Sequence, residues 1–399
     1  MKKIRVLQLP IGNARGGITQ YALQNWKFID KERFQFDFVT RSKSLDFEEE
    51  LTAEGCKIHY LTCSSEENEE QFIREMHRVL DEGYDAVHLH TSYWKGFLAE
   101  KLAIERKCPV VIVHSHSTMI DIADEQERNE SVKKHHLVKD SFPLEYGTHF
   151  VACSNAAAEW LFGEQVPKER IQILNNAIDL TRFQISSLNR EAYRENLGLN
   201  DCFVIGHIGR FTYTKNHTML IDIFCEVYRQ IPHARLMLVG FGELEDKIRM
   251  IVREYGLEHA VLFLGKRTDI PHLLQAMDVF LFPSRFEGLG LALIEAQAAG
   301  LKCLASKAVP VEAKVTPNLD FASNSISDWV SWTLKASEGY LRESQDHLLK
   351  QAGFDLKDQI RNLEKLYAGE DLIKERLSEG ESKSVYLGEG KWNVRETHW

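Results

Sequence analysis

Short apolar runs alternate with polar or amphipathic stretches along this chain, and the alternation is carried through twice. In the first half, Ile4–Leu9, Phe34–Thr40, Ile58–Leu61, Ala86–His90, Val110–His114, Phe150–Cys153 and Ile171–Leu174 read as strands. Helical stretches lie between most of them, clearest at Glu69–Asp81 and Phe97–Glu105. Around Ser186–Asn200 the pattern lapses into polar, helix-forming sequence, which predicts a linker. A second series follows, with strands Phe203–Ile208, Leu236–Val239, Val261–Leu264, Val279–Phe282 and Cys303–Ala305. Helices are expected there at Thr218–Arg229, Leu244–Tyr255 and Leu291–Ala299. Strand–helix alternation of this kind predicts parallel sheets covered on both faces.

The fold class is therefore α/β, with two doubly wound, Rossmann-like domains facing a cleft. A length of 399 residues suits two domains with a core each. The expected division is 1–190 and 191–370, with Phe354–Tyr367 as a last helix packing back on the first domain. Residues 371–399 form an extension without a structural assignment.

The bulk numbers exclude several classes. A net charge of -10 does not fit a chain built to bind nucleic acid. No apolar stretch reaches the roughly 18 residues of a membrane span. The start, Met1 to Pro10, has an apolar run too short for a signal peptide and reads as a first strand, so a cytoplasmic location is expected. Seven scattered cysteines, Cys56, Cys63, Cys108, Cys153, Cys202, Cys225 and Cys303, include no C-x-x-C pair and support neither a zinc site nor a disulfide framework.

Open α/β sheets bind ligands at the carboxyl ends of their strands, so those ends are the places to look. After Val279–Phe282 comes Pro283-Ser-Arg-Phe-Glu-Gly-Leu-Gly290, then the alanine-rich stretch to Gly300. Gly288 and Gly290 permit close approach of a ligand to the backbone where a helix begins, and a phosphate suits the free N–H groups there. Glu287 and Glu295 flank that turn, and Glu295 is placed to accept hydrogen bonds from sugar hydroxyls. An ordinary strand–turn–helix unit is the alternative. After Phe203–Ile208 comes Gly209-Arg-Phe-Thr-Tyr-Thr-Lys-Asn216, where Arg210 and Lys215 suit a diphosphate as fork and point charge. A solvated basic loop is the competing account. Two more glycine turns, Val239-Gly-Phe-Gly-Glu243 and Leu264-Gly-Lys-Arg-Thr-Asp-Ile270, complete a series of four.

Taken in order, G-R-x(4)-K-N, V-G-x-G-E-L, F-L-G-K-R-x-D-I and F-P-S-x-x-E-G-L-G-x-x-x-I-E-A-x-A-x-G resemble the nucleotide-sugar half of retaining GT-B glycosyltransferases. That large family includes sucrose synthases, bacterial mannosyltransferases and capsular polysaccharide glycosyltransferases. Its two glutamates separated by seven residues match Glu287 and Glu295. The resemblance implies that Arg210 and Lys215 hold the donor diphosphate and stabilise it as it leaves. It assigns Glu295 to the ribose hydroxyls, the Gly290 and Leu291 backbone to the distal phosphate, and Glu287 to the donor sugar. The turn at Arg267 would meet the nucleobase through backbone groups.

In the first half, Gly16-Gly17 before a helix is a phosphate-approach loop, and it is not the G-x-G-x-x-G of a dinucleotide fold. By resemblance Gly17 comes near the donor phosphate. His88-Leu-His90 and His114-Ser-His116 sit at strand ends, where side chains two apart share a face. No carboxylate or cysteine completes a metal set, and the resemblance implies transfer without metal or other cofactor. It raises His114, near donor sugar and acceptor hydroxyl, and more weakly His90 on the acceptor side. Lys133-Lys-His-His136 is either solvated helix surface or a contact for anionic lipid headgroups at the inner face of a membrane.

The expected activity is transfer of a sugar from a nucleotide-diphosphate donor, UDP by family habit, to a hydroxyl of a glycan or lipid-linked acceptor. Ser306 to Glu312 resembles capsular enzymes and suggests bacterial capsular or exopolysaccharide synthesis. A nucleotide-sugar epimerase of the same architecture and a non-catalytic partner subunit are the alternatives. Sugar, acceptor, linkage and oligomeric state are not written in the sequence.

Overall fold

Runs such as Val110-Val-Ile-Val113 bury both faces of a strand, and such strands become central in a parallel sheet. The computed structural model describes residues 2–13 and 17–370; Gly16 and the extension 371–399 lie outside the described residues. The first sheet is built from β1 (Ile4–Ile11), β2 (Phe34–Thr40), β3 (Ile58–Tyr60), β4 (Ala86–Thr91), β5 (Val110–Ser115), β6 (His149–Ala152) and β7 (Ile171–Ile173). The seven are parallel, in the order β3-β2-β1-β4-β5-β6-β7. The second sheet comprises β8 (Phe203–Ile208), β9 (Ala234–Val239), β10 (Val261–Phe263), β11 (Val279–Phe282), β12 (Lys302–Ser306) and β13 (Leu319–Ala322). Its order is β10-β9-β8-β11-β12-β13, again all parallel.

The strand order reverses at β1/β4 in one sheet and at β8/β11 in the other. At a reversal the flanking connections leave to opposite faces and open a crevice at the carboxyl ends. The loops after β8 and β11, residues 209–216 and 283–290, therefore border one crevice. Side-chain caps start several of the intervening helices: Asn68, Asp124, Ser154, Ser186 and Asp355 each accept a backbone N–H from the first turn.

Among the described residues the chain crosses between the domains twice, and the crossings are tied together. Ile178 N–H donates to the Phe354 carbonyl at 3.1 Å, and Leu356 N–H returns the bond to Ile178 at 3.1 Å. The last helix, Leu356–Tyr367, lies on the first sheet, where Ile360, Leu363 and Tyr367 share a core with Phe34, Phe36 and Val151. A single apolar cluster bridges the junction, from Val113 and Phe150 through Ile178, Leu180 and Phe183 to Phe280 and Leu293.

Two features go beyond the expectations. The polar, helix-forming stretch around 186–200 lies between the two sheets, and Ser187–Asn196 in it is a helix fastened to the second sheet. Arg190 and Arg194 both pair with Asp278 at the start of β11, and Asp278 also accepts the Val204 N–H at 2.7 Å. The second sheet also has an unexpected sixth strand, β13, whose four residues include the exposed Asp320. Among the described residues, no helix is long and apolar enough to cross a membrane.

Candidate active site

The loop after β8 and the turn after β11 are stitched to each other. Arg285 N–H donates to the Thr214 carbonyl at 2.8 Å, and the Arg285 guanidinium reaches Asn216 Oδ1 at 2.8 Å. Asn216 adopts the left-handed region at φ 53°, where asparagine is tolerated, and its amide donates to the Pro283 carbonyl at 3.2 Å. The lysine–asparagine pair thus divides its work: Asn216 shapes the loop and frees Lys215 to project across it. Lys215 Nζ meets Glu287 Oε1 at 2.5 Å and lies 4.9 Å from the Phe282 ring centroid. Arg210, more exposed, reaches across to the first domain and pairs with Asp121 at 3.2 Å. The second oxygen of Asp121 accepts the Thr214 N–H at 3.1 Å.

Each of the two cations is therefore held by a carboxylate. Asp121 engages a guanidinium and a backbone N–H together, the pair of donors that a phosphate oxygen also takes. Sequence reasoning puts the loop Ser115–Asp121 on the acceptor side but does not foresee Asp121 as the partner of Arg210, since one acid in a polar loop has no pattern around it.

The glycine turn also closes on protein backbone: a β-carbon at Gly288 would lie 2.1 Å from the His116 carbonyl oxygen. The same turn is gripped by the first domain through Thr118, which donates to the Glu287 carbonyl at 2.8 Å, and Ser154, which donates to the Gly288 carbonyl at 2.6 Å. Gly290 does need its glycine for conformation, with φ 90° at the N-cap of the helix Leu291–Ala298. No side chain caps that helix, so its first turn can offer N–H groups to an anion.

Glu295 lies in the second turn of this helix and is half-buried. Desolvation pushes its carboxyl up to about 7, against the opposing pull of Arg182. Arg267 spends its guanidinium on Asp269, at 2.8 and 2.5 Å, and Asp269 is held down to about 2 by that contact. Tyr193 donates to the same carboxylate at 3.0 Å, so the side chain of Arg267 braces the turn against the helix Ser187–Asn196. Gly17 is exposed and begins the helix Gly17–Phe28, while Gly12 N–H bonds Thr19 Oγ1 at 2.9 Å.

His114 and His90 are fully inside the first domain. The β4–β5 register sets His90 opposite His114, and His116 follows on the same face. His88 Nε2 and His114 Nδ1 are 3.0 Å apart, and His90 Nδ1 and His116 Nε2 are 2.9 Å apart. Nitrogens of His88, His90 and His114 lie within 4.8 Å of one another, a spacing a metal can use, but the facing nitrogens of His88 and His114 are spent on each other and no carboxylate joins the group. The basic run on the helix Glu125–Lys139 is only partly surface. His135 is buried, stacks on Trp160, accepts the Trp94 N–H at 2.9 Å and faces the Trp160 carbonyl at 3.0 Å, while Lys134 pairs with Glu66.

A separate cavity of about 310 Å³ lies between Ser187, Arg190 and Arg342. Phe203 and Asp278 in its wall stand at the amino ends of β8 and β11, the end of an α/β sheet away from ligand crevices.

Two family models match the chain: Glycosyltransferase Family 4 over residues 15–182 and Glycosyl transferases group 1 over residues 189–323. A putative glycosyltransferase, EpsF of Bacillus subtilis (strain 168), is 31% identical over 377 residues, covering 91% of this chain and 96% of the relative. The UDP-Gal:alpha-D-GlcNAc-diphosphoundecaprenol alpha-1,3-galactosyltransferase of Escherichia coli is 26% identical over 313 residues, 76% of this chain and 79% of that one. Among solved structures, HepE of Anabaena in complex with UDP and glucose superposes with a TM-score of 0.69 at 19% identity, covering 94% of this chain and 100% of HepE.

Proposed function

The chain belongs to the group 1 glycosyltransferases and has a GT-B fold, and from that premise we propose that it moves a sugar from a nucleoside-diphosphate donor to a hydroxyl of a glycan or lipid-linked acceptor with retained anomeric configuration. The observation that carries this reading is the meeting of Arg210, Lys215, Glu287 and the uncapped helix start at Gly290 on two stitched loops. All of them stand at the carboxyl ends of β8 and β11, facing residues 116–121 of the other domain.

The diphosphate takes the place of the two carboxylate partners. Arg210 leaves Asp121 and Lys215 leaves Glu287, and both cations turn to the phosphates. The Gly290 and Leu291 N–H groups seat the distal phosphate. Glu295 accepts the ribose hydroxyls, the Arg267 turn meets the base through its backbone, and Glu287, released from Lys215, holds the donor sugar. The bond from the anomeric carbon to the diphosphate oxygen then breaks while the acceptor oxygen bonds that carbon on the same face. The acceptor's proton passes to the departing phosphate. Fixed charges aimed at the leaving group are the main source of acceleration in such a reaction. This scheme calls on no metal, because the two side-chain cations supply the positive charge.

UDP is the favoured donor nucleotide, since the Escherichia coli relative is named for UDP-Gal and the HepE structure holds UDP. The acceptor of that relative is named as a diphosphoundecaprenol-linked sugar, which supports a lipid-linked acceptor here and a place in bacterial polysaccharide assembly. Work on such an acceptor would bring the protein to the cytoplasmic face of a membrane, where the exposed Lys133 and Leu137 offer a contact. The test is thermal shift with UDP, GDP and ADP, followed by turnover of nucleotide sugars with and without acceptor. Acceptor-dependent release of nucleotide supports transfer. Donor turnover that ignores acceptor favours the epimerase, and no response to any nucleotide favours a non-catalytic subunit.

A further inference from the structure

One side-chain network in the first domain reaches from the start of the chain to the last helix and ends on His114. The registers pair Gln8 with His88 and His90 with His114, so these side chains and His116 share a face of β1, β4 and the end of β5. Tyr367 approaches the same face from the last helix. Gln8 Nε2 donates to the Tyr367 hydroxyl at 2.9 Å, and that hydroxyl meets His88 Nδ1 at 2.8 Å. His88 Nε2 then meets His114 Nδ1 at 3.0 Å. On the other side, Gln8 Oε1 meets His90 Nε2 at 2.8 Å, and His90 Nδ1 meets His116 Nε2 at 2.9 Å. Tyr21 packs edge-on against all four imidazoles and holds the rings in place.

Burial keeps the four histidines well below the usual imidazole range, so each carries one N–H. Every proton then follows from the Gln8 amide. Its Oε1 is an acceptor, so His90 donates from Nε2 and accepts at Nδ1, which makes His116 an Nε2–H donor. Its Nε2 donates to Tyr367, so the Tyr367 hydroxyl gives its own proton to His88 Nδ1. His88 is thereby Nε2–H, and it donates to His114 Nδ1. With this amide orientation and every donor used, all four rings are assigned as Nε2–H tautomers; turning the amide over would make all four Nδ1–H. The chain ends on two buried atoms that have no partner among the described residues, His114 Nε2 and His116 Nδ1. The first is a donor and the second an acceptor.

We propose that Tyr367 and Gln8 are positioning residues that fix the tautomer of His114, holding its Nε2–H as a hydrogen-bond donor for an oxygen of the bound sugar or acceptor. The substrate half of this statement rests on the glycosyl-transfer reading. His114 is placed for it near the end of β5, two residues before the carbonyl that abuts Gly288 in the donor turn. A buried donor left unmatched is costly, and a substrate oxygen removes that cost on binding. The arrangement also gives the last helix a part in the site, 253 residues along the chain from His114 by the difference of their numbers.

The test is long-range ¹H–¹⁵N correlation on the full chain labelled with ¹⁵N-histidine, with single His→Gln substitutions for assignment. Nε2–H tautomers at His88, His90, His114 and His116 are expected without substrate. Tyr367→Phe keeps the ring against Phe34 and Phe36 and removes only the hydroxyl. It is expected to mix the tautomers of His88 and His114. It is also expected to lower kcat by about tenfold, with the donor KM changed by less than about twofold, as fits loss of one oriented hydrogen bond. Gln8→Leu carries the same expectation should Tyr367→Phe fail to fold. An Nδ1–H tautomer at His114 in the unsubstituted protein overturns the proposal. So does Tyr367→Phe that leaves His114 unchanged, or that shifts it with kcat intact. Absence of turnover with every donor overturns the glycosyl-transfer reading instead, while tautomer control is decided by the NMR spectra alone.

Discussion

A β-carbon on Gly288 would sit 2.1 Å from the carbonyl oxygen of His116, so the two domains close backbone to backbone at the turn after β11. This contact places the turn that carries Glu287 and Gly290 directly against the strand end that carries His114. It makes Gly288→Ala a test of domain closure. The added methyl must move one backbone away from the other, at about 1–3 kcal/mol for overpacking of this kind. Expected are a lowered Tm and a fall in kcat, with each isolated sheet intact by circular dichroism. Unchanged Tm and activity would show that the domains do not meet this way in solution.

Asp121 pairs with Arg210 and accepts the Thr214 N–H. It therefore competes with a phosphate for the same donors. Asp121→Asn keeps the shape and removes the charge, so the Kd for UDP is expected to tighten several-fold. Isothermal titration reads this directly. Weaker UDP binding would mean that Asp121 serves the bound state instead.

The carboxyl of Glu295, raised to about 7 by burial, sets a pH dependence. In the folded protein the neutral form is favoured, so whatever stability this group lends is present at low pH and lost as pH rises through about 7. On the proposed assignment, ribose hydroxyls would bind the ionised form as acceptor of two hydrogen bonds. Nucleotide affinity is therefore expected to fall as pH drops below about 7, and Glu295→Gln to bind more weakly and without that slope. A flat profile in the unsubstituted protein would contradict the ribose assignment.

His135 joins the Trp94 N–H to the Trp160 carbonyl inside the first domain, and burial pushes it down to about 4. Removing it leaves two buried polar groups without partners, so His135→Ala is expected to cost about 2–4 kcal/mol in denaturant unfolding. The stability that the neutral ring supports is present above about 6.5 and is lost as pH falls toward about 4. His116 and His207, pushed to about 3 and about 4, add to the same acid sensitivity. A Tm that holds constant from neutral pH down toward about 4 would contradict this.

The two sheets are legible in the sequence because runs such as Val110 to Val113 and Val279 to Phe282 declare strands buried on both faces. The helix-forming character of Ser187–Asn196 is legible but its attachment is not, since Arg190 and Arg194 look like solvated charges until Asp278 is brought beside them from far along the chain. β13 is hidden because four residues with an exposed Asp320 carry too little pattern. Within the site, Arg210, Lys215, Glu287 and Gly290 are readable from strand-end position and chemistry. The pairing of Arg210 with Asp121 is not, for it joins loops of two domains that lie far apart in the sequence. The glycine at 288 stands out in the sequence for ligand approach, and its domain contact is seen only in the fold. Tyr367 reads as one more apolar residue of a last helix, and only the tertiary fold shows its hydroxyl at His88.

The central claim is that Arg210 and Lys215 stabilise a departing nucleoside diphosphate. Its most direct measurement is release of UDP, GDP or ADP from their sugars, with acceptor, by the unsubstituted protein and by Arg210→Ala and Lys215→Ala. The account predicts release of one nucleotide by the unsubstituted protein. It predicts a loss of about 10²–10³ in kcat for each variant, with Tm little changed. Full turnover in either variant would contradict it.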